Sequence, residues 1–159
     1  MKWVLALAAV PLVASDSPRL VYSKSFPGSV PAFVELSIER NGDTQYKEAL
    51  DDDQPLKFQL AEADTTEIFG LVDKLDHFSH PLESGLKVAN MGMKTFRYEA
   101  DGHSGEVKFN YSEDMDAKAL ADWFERISET ERSLIELERS VRFDKLGAQN
   151  AILPHISPR

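Results

Sequence analysis

Residues 33–47, Phe-Val-Glu-Leu-Ser-Ile-Glu-Arg-Asn-Gly-Asp-Thr-Gln-Tyr-Lys, decide the fold. Val34, Leu36 and Ile38 alternate with Glu35, Ser37 and Glu39, the period of a half-buried strand. Asn41-Gly42-Asp43 then supplies the backbone freedom of a tight hairpin turn, and residues 44–50 return as its partner. An antiparallel hairpin with one apolar face needs more strands beside it and a layer over it. Both are written in the flanking sequence. Residues 20–26 read as a strand stopped by Pro27-Gly28. Beyond the polar turn Asp51-Asp52-Asp53, residues 55–61 alternate again, with Leu56, Phe58 and Leu60 inward.

The period then changes to helical. Asp64-Thr65-Thr66-Glu67 matches a capping box, and Ile68, Leu71, Val72, Leu75 and Phe78 follow at helical spacing, which predicts a helix over about 65–78. Residues 81–92 fit neither period and predict a long loop, a feature often functional or mobile. Residues 93–100 and 106–111 alternate around the turn 101–105, a second hairpin. Ser112-Glu113-Asp114 opens a second helix, expected over 115–146 with Lys145 and Gly147 at its end. Such a helix is about 48 Å long, against a body roughly 35–40 Å across, so it either overhangs or breaks. Ser128-Glu129-Thr130-Glu131 is a second capping box and marks the place for a break. The fold expected is α+β: an antiparallel sheet of about six strands with both helices on one face.

With Pro31-Ala32-Phe33-Val34-Glu35-Leu36 entering the first hairpin, Asn41-Gly42-Asp43 at its tip and Ile68-Phe69-Gly70-Leu71 in the first helix, the layout resembles that of small α+β domains exported by many bacteria. The likeness spans about residues 20–130 and stops at the long charged C-terminal helix. It implies export and carries over no activity and no functional residue.

The N-terminus agrees with export. Met1-Lys2, the apolar run Val4–Val13 and the small residues Val13-Ala14-Ser15 have the three-part layout of a signal peptide, with cleavage expected after Ser15 or Ala14. The apolar run is about half the length of a membrane span. Residues 1–15 are therefore read as a signal, and 16–159 as one domain that is periplasmic or secreted and not inserted in a membrane. The absence of cysteine in 159 residues suits a bacterial exported protein and rules out a thiol nucleophile, a cysteine zinc site and disulfides. With 18 basic and 27 acidic side chains the chain is a poor match for nucleic acid.

Chemistry is thinly signalled. Asp73, His77 and His80 carry the residue types of a zinc site at short spacing, without an HExxH or HxH pattern. With nearby carboxylates they define the alternative function, a metal-dependent or hydrolytic enzyme. Asp51, Asp53 and Glu62 match three positions of a calcium loop, but Leu56 stands where the turn needs glycine. No Gly-x-Ser-x-Gly elbow and no glycine-rich phosphate loop is present, and no cofactor is implied. Lys87, Lys94 and Arg97 form a local basic cluster in an acidic chain, the candidate binding residues. Leu120, Ile127, Leu134 and Val141 recur every seven residues, with Trp123, Thr130 and Leu137 three later, a short seam through which two copies would pair as a homodimer. The function expected is a non-enzymatic exported module that meets a protein or peptide partner.

Overall fold

The computed structural model describes residues 17–152; the expected signal peptide lies outside the described residues. Six strands form one antiparallel sheet: β1 (Arg19–Ser25), β2 (Phe33–Glu39), β3 (Asp43–Lys47), β4 (Leu56–Gln59), β5 (Met93–Ala100) and β6 (His103–Phe109), in the order β4-β3-β2-β1-β5-β6. Each half contributes its expected hairpin, and the two join where β1 pairs with β5. Helices α1 (Glu62–Lys74) and α2 (Met115–Ile152) cover one face. Among the described residues no helix is long and apolar enough to cross a membrane.

The core follows the alternation. Leu20, Tyr22, Leu36, Ile38, Tyr46 and Phe96 point from the sheet into a layer closed by Ile68, Phe69 and Val72 of α1 and by Leu120 and Phe124 of α2, all essentially inaccessible to water. Phe124 stacks on Tyr22 at 4.5 Å between centroids. The opposite face is a lattice of ion pairs: Lys47 reaches Glu35 at 3.1 Å, Lys108 reaches Glu106 at 3.5 Å, and Arg97 Nε lies 2.8 Å from Glu99 Oε1, close enough for an ion pair but without hydrogen-bond geometry. Val21, in the middle of that face, is buried beneath these long side chains.

Four local expectations are corrected. The helix α1 starts at Glu62 rather than at the Asp64 box; its N-cap is Ala61, without a side-chain cap. Glu67 accepts a hydrogen bond from Trp123 Nε1 (3.2 Å) instead of reaching back. Second, α1 ends at Lys74, not near 78. Asp76, His77 and Phe78 follow with φ of +49°, +52° and +64°, a left-handed turn costing roughly 1–2 kcal/mol per residue. Burial of Phe78 against Phe96 compensates, and Gly105 of β6 leaves the room: a methyl there would collide with the His77 carbonyl oxygen. Third, α2 is not broken near 128: it runs as one helix from Met115 to Ile152, and Thr130, Ser133 and Ser140 donate their hydroxyls to the carbonyls of Arg126, Glu129 and Glu136 (2.9–3.0 Å), as residues inside a helix do and a cap does not. It also continues through Gly147. At 38 residues α2 is about 57 Å long and overhangs the sheet. Fourth, the seven-residue seam is not exposed along its whole length: Leu120 and Ile127 pack in the protein's own core, while Leu134, Leu137 and Val141 are exposed.

Candidate functional site

The residues flagged from sequence do not gather. Lys94 projects toward the helices, donates from Nζ to the Asn110 carbonyl (3.1 Å), and has its pKa lowered by burial and by the neighbouring Lys24 charge. Arg97 stands on the opposite face of the same strand, tied to Glu99 and Glu106. Lys87 is exposed in the loop of residues 79–92. Asp73 and His77 do meet (3.0 Å), with the imidazole packed on Tyr98 and edge-on to His103. His80 pairs separately with Asp76 at 3.3 Å and is largely exposed. Among the described residues no three His, Asp or Glu side chains are placed to share a metal ion.

The long loop is tied down rather than loose. Asn110, at the end of β6, accepts from the Met91 amide (2.8 Å), donates to the Ala89 carbonyl (3.0 Å), and gives its own amide to Glu83 (2.6 Å), which holds that carboxyl below its usual range. Leu82 is buried beneath the loop, while Leu86, Val88 and Met91 remain exposed. Gly92 lets the loop close onto Lys24 and Phe26; a Cβ there would lie 2.9 Å from Lys24 Cε.

Lys24 and Phe26 lead to the site itself, a cavity of about 180 Å³ between α2 and the loop joining β1 to β2. The loop is built to stand over it. The Phe26 amide donates to the Ala32 carbonyl (2.8 Å), the Ser29 amide to the Phe26 carbonyl (3.0 Å), and Ser29 Oγ sits within 2.7 Å of the Pro31 carbonyl. The Val30–Pro31 peptide is cis, and Val30 is 84% exposed at the rim. Phe26, Val30, Pro31, Ala32 and Val34 make the apolar wall; Glu125, Ser128, Glu129 and Arg132, on successive turns of α2, make the polar one.

The charges in the polar wall are mostly spoken for. Lys24 Nζ is 2.7 Å from Glu125 Oε1, a bridge from sheet to helix. The Tyr22 hydroxyl approaches the same oxygen at 3.5 Å, and burial together with the Glu125 charge drives its pKa far upward, so the phenol is no base. Among the described residues Arg132 has one loose partner, Glu136 at 3.8 Å. Ser128 differs from Thr130, Ser133 and Ser140: its Oγ is sealed from water, and so from the cavity, and has no hydrogen-bond partner among the described residues. A buried unpaired hydroxyl costs about 1–3 kcal/mol, and such a group calls for an explanation. One turn further on, Val30, Pro31 and Arg132 also border a second, smaller hollow with Ile135 and Arg139, so the depression continues along the helix.

Comparison of the chain with models of known families and with curated proteins returns no match. The cavity was not foreseen from sequence. Its only signal was Ser128, a hydroxyl on the apolar side of a helix, which there looked like a cap.

Proposed function

We propose that the chain is an exported, non-enzymatic binding module that takes a protein or peptide segment into the cavity between α2 and the β1–β2 loop. The observation that carries this reading is the cavity itself, with Phe26, Val30, Pro31, Ala32 and Val34 on one wall and Glu125, Glu129 and Arg132 on the other. Binding sites have this composition: apolar walls with a few placed polar groups. Catalysis needs ionisable groups converging on a reacting atom, whereas here Lys24 and Glu125 neutralise each other. Export rests on the layout of residues 1–15.

Two measurements test the two parts. Mass spectrometry of protein from its native host is expected to give a chain starting at Asp16 or Ser15; an intact Met1 inside the cell contradicts export. Peptides enriched from a random library on the immobilised protein are then titrated into isotope-labelled protein. They are expected to shift the amide signals of Val30, Ala32, Ser128 and Arg132. Shifts confined to the open sheet face contradict the reading.

A further inference from the structure

Helix α2 carries a line of side chains that α1 covers for only part of its length. Lys74 of α1 lies 3.7 Å from Asp116, and Trp123 Nε1 donates to Glu67 at 3.2 Å. Asp116 and Trp123 are seven residues apart, and Lys74 and Glu67 are seven apart in the opposite sense, so the two helices run antiparallel, turn against turn. The next places on this line of α2 are Thr130 and Leu137. Residue 60, seven before Glu67, precedes the start of α1 at Glu62. Beyond α1 the line is bare: Thr130, Leu134, Leu137 and Val141 are exposed. Leu134, Leu137 and Val141 fall within about 60° of one another around the helix, while Phe143, the most exposed apolar side chain of the overhang, lies on another side.

We infer that a second copy of this chain lies antiparallel along this stripe, in the place that α1 leaves, so that the two overhangs cover each other about a two-fold axis near Arg139. The charges fix the direction. Residues 129–138 carry four acids and one base, and residues 139–144 carry two bases and one acid. A parallel pair sets acid beside acid. An antiparallel pair sets the acidic stretch of each copy beside the basic stretch of the other. Glu138 and Arg142, four residues apart, border the stripe on one side, and about that axis Glu138 of each copy stands beside Arg142 of the other. Among the described residues neither is engaged in an ion pair, whereas Arg132, further round the helix, holds Glu136.

The stripe is short, three apolar side chains on each copy. The dimer therefore forms in concentrated protein, and the dilute protein of a denaturation experiment is the monomer. Glu125, Glu129 and Arg132 of the cavity wall project from the far side of α2, so pairing leaves the cavity open and does not depend on what enters it.

The test is equilibrium sedimentation of the processed chain, residues 16–159, from micromolar to millimolar concentration. The expected result is a reversible monomer–dimer equilibrium. Leu137→Glu is expected to weaken it about tenfold, and Phe143→Ser, off the stripe, to leave it unchanged, both with the parent's urea midpoint in dilute solution. Glu138→Arg and Arg142→Glu are each expected to weaken it roughly fivefold, and the double variant to restore it. Direction is read separately. The chain has no cysteine, so Asp122→Cys, at an exposed position, takes a single spin label per copy. The antiparallel pair holds the two labels about 50 Å apart, and a parallel pair holds them within about 20 Å. A monomer at millimolar concentration, a dimer indifferent to Leu137→Glu or equally weakened by Phe143→Ser, a double charge variant no tighter than the single ones, or a short label distance overturns the inference.

Discussion

From Met115 to Glu131 the helix α2 lies on the sheet, and Leu120 and Phe124 are fully buried; from Arg132 to Asp144 it runs past the sheet, and Leu134, Leu137, Val141 and Phe143 are between 45% and 71% exposed. The two stretches carry apolar residues at similar density and helical spacing. What separates them is the supply of partners: among the described residues beyond Glu131, only Ile135 of the apolar side chains packs against the core. Amphipathic periodicity states that a face exists, and the extent of the neighbouring layer decides whether that face is buried. The candidate groove sits at the changeover, where the helix still touches the sheet on one side and has begun to leave it on the other.

Substitutions on either side of the changeover test this contrast. The largest effect is expected from Phe124→Ala, a loss of about 3–5 kcal/mol, since the ring stacks on Tyr22 and leaves a cavity behind. Gly105→Ala is expected to cost about 1–3 kcal/mol, as the added methyl must push the His77 turn off β6. One methyl at a closed contact thus outweighs a whole side chain on the overhang. Both are read from urea denaturation midpoints.

Glu131, the last buried position among the described residues, gives a smaller effect with a defined pH dependence. Burial raises its carboxyl pKa in the folded protein. A carboxyl that holds its proton more tightly when folded stabilises the fold while protonated, below the unfolded value of about 4.3, and that contribution is lost as pH climbs through the raised value. Glu131→Gln is therefore expected to stabilise at neutral pH, on the order of 1 kcal/mol, with the gain vanishing near pH 4. A gain independent of pH contradicts the assignment. The smallest effect belongs to Leu137→Ala, expected within about 0.5 kcal/mol of the parent. A loss as large as that of Phe124→Ala means the overhang is packed in solution, and equilibrium sedimentation then shows whether a second copy packs it.

Much of the fold was legible because it is carried by local period and by turn residues. Val34-Leu36-Ile38 and Asn41-Gly42-Asp43 leave one arrangement for the first hairpin, and Phe96 and Val107 fix the second in the same way. The excess of helix length over body width announced the overhang. The site was not legible, since it depends on which side chains are left without partners. The S-x-x-E spacing at Ser128 is the same in a cap and in a continuous helix, and only the packing of α2 on the sheet distinguishes them. Lys94 and Arg97 looked like neighbours, yet an odd separation in a strand sends them to opposite faces. The turn at Asp76–Phe78 was equally hidden, because it contains no glycine to announce it and has its room from Gly105 across the fold.

The central claim is that the cavity between α2 and the β1–β2 loop is the binding site. Ala32→Leu, at an exposed position on its mouth, tests this most directly. The account predicts a variant with the parent's urea midpoint that binds library-selected peptides markedly more weakly. Unchanged affinity in the folded variant contradicts it.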